Sequence, residues 1–442
     1  MTTLVWLRDD LRIVDNPAFS AAAEDPGGVV VLYLLDEESE HIRALGGAAK
    51  WWLDKSLRSL QATLAQLGVP LILRRGRAEE VVSSVARECG ADRVLWNRRY
   101  GPARAHDALV KTQLREQGRE VRSYPGDVLF EPWTIATQAG SPYQVYSAFW
   151  RACTSGMPPA EPLAAVQECT GARMEVVDSD ALDDWALTPV SPDWSGGISH
   201  RWEPGEHAAS QALEEFLAER VHKYSRRDFP AEHTGSELSP YLRWGEISPR
   251  QVWHRTIQAG GDVGMFLSEL GWREFAKHTA FHFGPLETNQ LNTKFDGFPW
   301  HTDQAPGFTE WTRGQTGFGI VDAGMKELWT TGFMHNRVRM ITASLLTKNL
   351  GIDWRHGEAW FWDTLVDADE ASNPFNWQWV AGCGADAAPY FRIFNPELQQ
   401  KKFDPDGRYV SKWAPDSVLT PPILDLKATR AEALHTYYSH VR

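Results

Sequence analysis

The sequence predicts two unlike halves: an α/β N-terminal domain with a Rossmann-like parallel sheet, and an all-α C-terminal domain. Three observations carry this. Apolar, β-branched runs alternate with helical periodicities over residues 1–130, and after Gly205 the pattern changes to helix after helix. Thirteen of the 21 tryptophans fall from Trp202 onward, so the aromatic enrichment belongs mainly to the second half.

The elements follow in order. Leu4 to Leu7 is a short apolar run, and Val29 to Leu35 is a longer β-branched one closed by Asp36, as in a parallel strand buried on both faces. Trp52, Leu53, Leu57, Leu60, Leu64 and Leu67 recur every three or four residues, which predicts an amphipathic helix ended by Gly68 and Pro70. Leu71 to Leu73 reads as a strand, Glu79 to Cys89 as a helix stopped by Gly90, Arg93 to Trp96 as a strand, and Ala103 to Gln117 as a helix stopped by Gly118. Strands alternating with helices imply a parallel sheet covered on both faces. A connector over residues 131–201 is punctuated by Pro158-Pro159, Pro189, Pro192 and Gly196-Gly197, and the helical domain spans 202–442.

Composition narrows the function. A chain of 442 residues is long enough for two or three cores. The balance of 45 basic against 58 acidic residues gives −13, which argues against nucleic-acid binding by bulk charge while leaving room for a local basic groove. Four scattered cysteines without a C-x-x-C pair fit reduced thiols in a cytoplasmic protein and give no support for zinc or an iron–sulfur cluster. The first residues enter a strand directly, without a signal sequence, and no apolar run reaches the length of a membrane span. No G-x-G-x-x-G fingerprint marks a nicotinamide site. The polar strand ends Arg8-Asp9-Asp10 and Asn97-Arg98-Arg99-Tyr100 stand where an open α/β sheet places a ligand crevice, or are simply solvated loops.

The densest chemistry lies between Met325 and Pro396, where six tryptophans fall between positions 329 and 379 beside the acidic run Asp367-Ala368-Asp369-Glu370. Trp is large and wants a partner for its indole N–H, so this stretch suits a flat, polar-edged ligand better than a plain core. Upstream, Thr234 to Ser239 precedes Pro240 and makes a phosphate cradle or an ordinary helix N-cap. Glu269, Trp272 and Arg273 share a helical face, and Asn336 and Met340 share another flanked by Arg337 and Arg339.

Taken together and in order, several stretches resemble the photolyase and cryptochrome family over nearly the whole chain. They are Leu4-Val5-Trp6-Leu7-Arg8-Asp9-Asp10-Leu11-Arg12, Ser236 with Leu238-Ser239-Pro240, Trp272-Arg273-Glu274-Phe275, Met334-His335-Asn336-Arg337, Trp377-Gln378-Trp379 and Tyr390-Phe391-Arg392-Ile393-Phe394-Asn395-Pro396. Within the family the sequence is most similar to bacterial cyclobutane pyrimidine dimer photolyases, of the class III branch near plant cryptochromes. The resemblance implies an N-terminal antenna domain, a C-terminal FAD-binding domain, and a cytoplasmic monomer that repairs UV-damaged DNA in blue light.

By that resemblance, Tyr224 and the segment Gly235, Ser236, Glu237, Leu238 and Ser239 bind FAD, together with Arg273, Arg339, Asp367, Ala368, Asp369 and Asn373. Arg339 is expected to pair with Asp367, and Asn373 to approach the flavin N5. Glu269, Trp272, Asn336, Met340 and Trp379 form the catalytic pocket for the flipped dimer, with Trp272 and Trp379 as its aromatic walls. Arg227, Glu269, Trp272, Arg273, Asn336 and Arg337 meet DNA. Photolyases are a standard example of enzymes that extrude a base from the duplex. Trp377, Trp354 and Trp300 fall at the family's electron-transfer positions, although spacing alone makes each a core residue.

The antenna implied is 5,10-methenyltetrahydrofolate, with 8-hydroxy-5-deazaflavin or none as alternatives. Glu237 places an acid in the phosphate segment, Phe333 stands where relatives often have Trp, and no long signalling tail follows Pro421-Pro422. A cryptochrome-type receptor and a (6-4) photolyase are the competing readings. Trp272, Trp379 and Asn373 favour repair over signalling, and Asn336 and Met340 stand where (6-4) chemistry uses histidine.

Overall fold

The computed structural model describes residues 2–172 and 177–441; residues 173–176 of the expected connector lie outside the described residues. Five strands, β1 (Thr2–Leu7), β2 (Val29–Leu35), β3 (Leu71–Arg75), β4 (Ala91–Asn97) and β5 (Glu120–Tyr124), form one parallel sheet in the order β3-β2-β1-β4-β5. Strand alternation divides the apolar side chains between two cores. Val5, Leu7, Val29, Val31 and Tyr33 enter one, with α1 (Pro17–Ala23) and α2 (Gly47–Gln66). Leu4, Trp6, Val30, Leu32 and Leu34 enter the other, under α3 (Ala78–Glu88) and α4 (Arg104–Glu116).

All four expected strands and three expected helices of this half are present. Two further elements, α1 and β5, were not anticipated. Helix α1 is only seven residues long and starts on Asn16, whose side chain accepts from the Phe19 N–H, followed by Pro17. Strand β5 is an edge of sequence EVRSY, too polar to give an apolar run.

Strand β1 lies between β2 and β4, so the chain direction of winding reverses there and opens a crevice beyond the strand ends. Arg8, Asp9 and Arg99 stand in it.

The second half is helical. The helices that shape the site are α5 (Ser239–Arg243), α6 (Gly264–Phe283), α7 (Gly319–Thr331), α8 (Asn336–Ser344), α9 (Trp354–Thr364) and α10 (Ser372–Ala381). Helices α9 and α10 pack closely because Gly357 has no side chain: a Cβ there would stand 2.2 Å from the Trp377 ring. Among the described residues, no helix is long and apolar enough to cross a membrane.

Candidate active site

Helices α5, α6, α8, α9 and α10 enclose a cavity of about 520 Å³, within the range of cofactor sites. Its lining includes Tyr224, Arg227, Gly235, Ser236, Glu237, Leu238, Ser239, Glu269, Trp272, Arg273, Asn336, Arg337, Arg339, Met340, Asp367, Ala368, Asp369, Asn373, Trp377 and Trp379. Every residue expected at the cofactor, the catalytic pocket or DNA is thus brought to one cavity. Trp300 and Trp354 lie away from its lining.

The segment before α5 is not an ordinary N-cap. Leu238 occupies the cap position with no side-chain hydrogen bond and buries its own side chain in the core. The Ser239 hydroxyl instead donates to Asp367 Oδ2 at 2.6 Å. That same oxygen takes Arg339 Nη2 at 2.8 Å, so the expected Arg339–Asp367 pair is present. Asp367 Oδ1 is buried and has no hydrogen-bond partner among the described residues. A buried carboxylate oxygen left over in a cavity calls for a donor from a ligand. Glu237 sits at φ 57° and pairs with Arg201 at 2.9 Å, which neutralises the acid that threatened to repel a phosphate. The cavity's size and the unmatched Asp367 oxygen fit FAD.

Helix α6 places Glu269, Trp272 and Arg273 on the cavity and Lys277 beneath it. Trp272 stacks on Tyr146 at 3.8 Å between centroids and 11° between planes. Tyr146 opens a helix, Tyr146–Ser155, in the expected connector; sequence reasoning missed this backing residue, although Tyr146, Phe149 and Trp150 mark one helical face. Phe375 braces Trp272 from α10 at 6.3 Å. Trp272 and Trp379 both remain partly exposed, as walls for a planar ligand must.

The polar rim is internally paired. Arg227 Nη2 donates to Glu269 at 2.8 Å, and Arg337 Nη2 to Asp228 at 2.6 Å. Met340 Sδ lies 3.7 Å from Arg337 Nη1, while Asn336 is exposed at the start of α8. Arg273 is committed elsewhere: its Nη1 donates to the Asp127 carbonyl at 2.7 Å and its Nη2 to the Asp127 carboxylate. These bonds tie α6 to the loop after β5. Asn373 Nδ2 donates to Glu358 Oε1 at 2.7 Å, which fixes its amide at the cavity wall.

Lys277 Nζ bridges Asp127 at 2.6 Å and Asp369 at 3.1 Å. Burial opposes the ionisation of Asp369, but Lys277, Arg273, the Ser372 N–H and Arg243 outweigh it and hold the carboxyl well below its usual range.

Trp377 and Trp354 are buried, and Trp300 is partly exposed. Trp377 packs edge-on to Phe361 at 4.9 Å, and Trp300 lies 4.4 Å from Phe298. The indole N–H groups of Trp300 and Trp354 have no partner among the described residues.

A second, smaller cavity lies at the sheet's crevice, lined by Arg8, Asp9, Tyr33, Arg99, Arg243, Glu287 and Glu370. This corrects the expectation that Asn97, Arg98 and Tyr100 line the crevice. Asn97 is buried and bonds Asp10 and Asn16, Arg98 bonds Glu131 and the Ser123 carbonyl, and Tyr100 is 2% exposed. Arg243 separates the two cavities and lines both: its Nε donates to the Ala368 carbonyl and its Nη1 to Asp9, each at 2.7 Å.

Residues 3–167 match the DNA photolyase family, and residues 266–421 match the FAD binding domain of DNA photolyase. A deoxyribodipyrimidine photo-lyase of Agrobacterium fabrum is 47% identical over 420 residues, covering 93% of this chain and 87% of the relative. Cryptochrome-1 of Arabidopsis thaliana is 36% identical over 433 residues, covering 94% of this chain and 63% of the relative. The crystal structure of a bacterial class III photolyase from Agrobacterium tumefaciens superposes with a TM-score of 0.94 at 44% identity, covering 99% of this chain and 97% of that one. The chain belongs to the photolyase and cryptochrome family.

Proposed function

We propose that this protein splits cyclobutane pyrimidine dimers in DNA under blue light, with FAD held in the large cavity. The observation that carries the reading is the meeting of Trp272 and Trp379, Glu269 and the Asp367–Arg339 pair around one cavity. When bound and reduced, FAD supplies the photoexcited electron that opens the cyclobutane ring and takes it back, so the reaction is a lyase reaction without net redox change.

The protein's own residues do the rest. Trp272, stiffened by Tyr146, and Trp379 give a flipped dimer the apolar faces that replace its lost stacking. Glu269, paired with Arg227 before DNA binds, is released when Arg227 turns to phosphate and accepts from the pyrimidine N–H edge. Ser236 and Ser239 would hold the diphosphate, and Arg339 would supply positive charge to the reduced flavin. Arg227 and Arg337 exchange Glu269 and Asp228 for phosphate on binding, which makes affinity salt-dependent despite the net charge of −13. An antenna, methenyltetrahydrofolate in this reading, takes the crevice cavity, where Arg8, Arg43, Arg99 and Arg243 alternate with Asp9, Asp36, Glu287 and Glu370.

The test is repair of an oligonucleotide with one defined dimer by photoreduced protein. Repair in light alone supports the reading; an intact dimer beside bound, photoreducible FAD would transfer it to a receptor. Repair of a (6-4) lesion instead would reassign the substrate.

A further inference from the structure

The two tryptophans of the cavity are joined behind it by the helix Tyr146–Ser155. That helix has no cap of its own: Val145 occupies the cap position without a side-chain hydrogen bond. The acceptor for its first turn comes from far along the chain, where Asp386 Oδ2 takes the Tyr146 N–H at 3.1 Å. Asp386 is held at φ 48°, a left-handed conformation that Asp and Asn enter more readily than most side chains.

Each end of this bond leads to one tryptophan. On one side the Tyr146 ring stacks on Trp272, and its hydroxyl donates to the Ser268 carbonyl at 2.6 Å and lies 2.7 Å from Ser268 Oγ. Ser268 and Trp272 stand one helical turn apart, so the tyrosine clasps α6 on the face that presents Trp272. Gly271 lets Trp150 of the same helix close in, since a Cβ there would stand 2.6 Å from the Trp150 ring. On the other side, Asp386 sits in the loop that finishes α10. Gly382, Cys383 and Gly384 donate to the Gln378 carbonyl, and Ala388 donates to the Trp379 carbonyl at 3.2 Å, which satisfies carbonyls of the last turn. Ala385 of that loop is buried in the same apolar cluster as Tyr146 and Phe375.

We propose that Tyr146 and Asp386 are positioning residues that brace the two tryptophans against each other. The line from Trp272 through Tyr146 and Asp386 to the loop closing α10 holds Trp272 and Trp379 at a set separation, which suits a rigid two-ring lesion better than ordinary bases. The inference rests on the dimer-binding reading and adds to it the part that selects the lesion. Neither residue lines the cavity, so both act through the tryptophans. Undamaged DNA is held through its phosphates, which the brace does not touch.

The test compares the Kd of FAD-loaded protein, in darkness, for two oligonucleotides that differ only in one cyclobutane thymine dimer. Asp386→Gly fits φ 48° and removes the carboxylate. It should lower the ratio of damaged to undamaged affinity by on the order of fivefold, the low end of what one stacked base is worth, and leave undamaged binding unchanged. Asp386→Asn keeps an acceptor oxygen and tolerates the same φ, so it should keep the wild-type ratio. A role in capping alone is separated by adding Val145→Ser to Asp386→Gly: Val145 is exposed and extended, so this change supplies a local cap. The double variant should regain the lost Tm but not the lost ratio. A ratio unchanged in Asp386→Gly, lowered equally in Asp386→Asn, or restored by Val145→Ser overturns the inference. Should Asp386→Gly fail to load FAD, Tyr146→Leu breaks the brace at its other end, and an unchanged ratio there overturns the inference equally. Wild type with FAD bound and equal affinity for both oligonucleotides would instead defeat the dimer-binding reading itself.

Discussion

The half-exposed tryptophans of the cavity and the buried ones are the same residue under opposite constraints. Trp272 and Trp379 are partly exposed and each leaves apolar surface for something to cover. Trp354 is fully buried and Trp377 nearly so, with Trp377 wedged against Phe361 and the bare backbone of Gly357. The first pair keeps apolar surface uncovered, as the walls of the proposed dimer site would require. The second is part of the fold, so any redox role is added to a packing role already filled.

Substitutions can break that contrast, beginning with the largest effect. Trp354→Ala should cost about 3–5 kcal/mol of stability, as expected for deleting a buried aromatic, and show as a large fall in Tm. Trp354→Phe should cost much less, because the indole N–H has no partner to lose. Trp379→Ala should leave Tm and FAD content nearly unchanged but weaken binding of dimer-containing DNA by about 1–3 kcal/mol, the worth of one stacked base, in an equilibrium binding assay, and Trp272→Ala should weaken binding as much while also lowering Tm through its lost stack on Tyr146. Trp377→Phe should slow photoreduction of oxidised FAD by an order of magnitude or more while repair by pre-reduced protein continues. Equal collapse of both, with FAD retained, would return Trp377 to packing alone.

Much of this was legible in the sequence, for physical reasons. Continuous β-branched runs and three-to-four-residue periodicity revealed the buried strands and longer helices. Arg339 and Asp367 were paired in advance by resemblance, and their 2.8 Å contact agrees. What escaped were features that depend on distant partners. Nothing local in Glu237 reveals Arg201, nor does Tyr146 reveal its stack with Trp272. The polar strand end at Asn97 looked like a ligand crevice but turns inward to satisfy Asp10 and Asn16.

A smaller effect extends the comparison to a fifth tryptophan. Trp52 is buried and donates its N–H to Glu246, a carboxyl raised to about 8 by burial. An acid whose folded pKa exceeds its unfolded one binds more protons when folded, so its contribution to stability is lost as pH rises from about 4.5 through 8. Wild type should therefore lose stability across that window relative to Glu246→Gln, by a few degrees in Tm measured at pH 5.5 and 8.5. Parallel curves would mean that Glu246 is already ionised.

The most direct measurement is repair itself. Purified, photoreduced protein is mixed with an oligonucleotide carrying one cyclobutane thymine dimer, half under blue light and half in darkness, and thymine absorbance is followed. The reading predicts recovery in the lit sample alone. An unchanged dimer in the light, with reduced FAD bound, would contradict it.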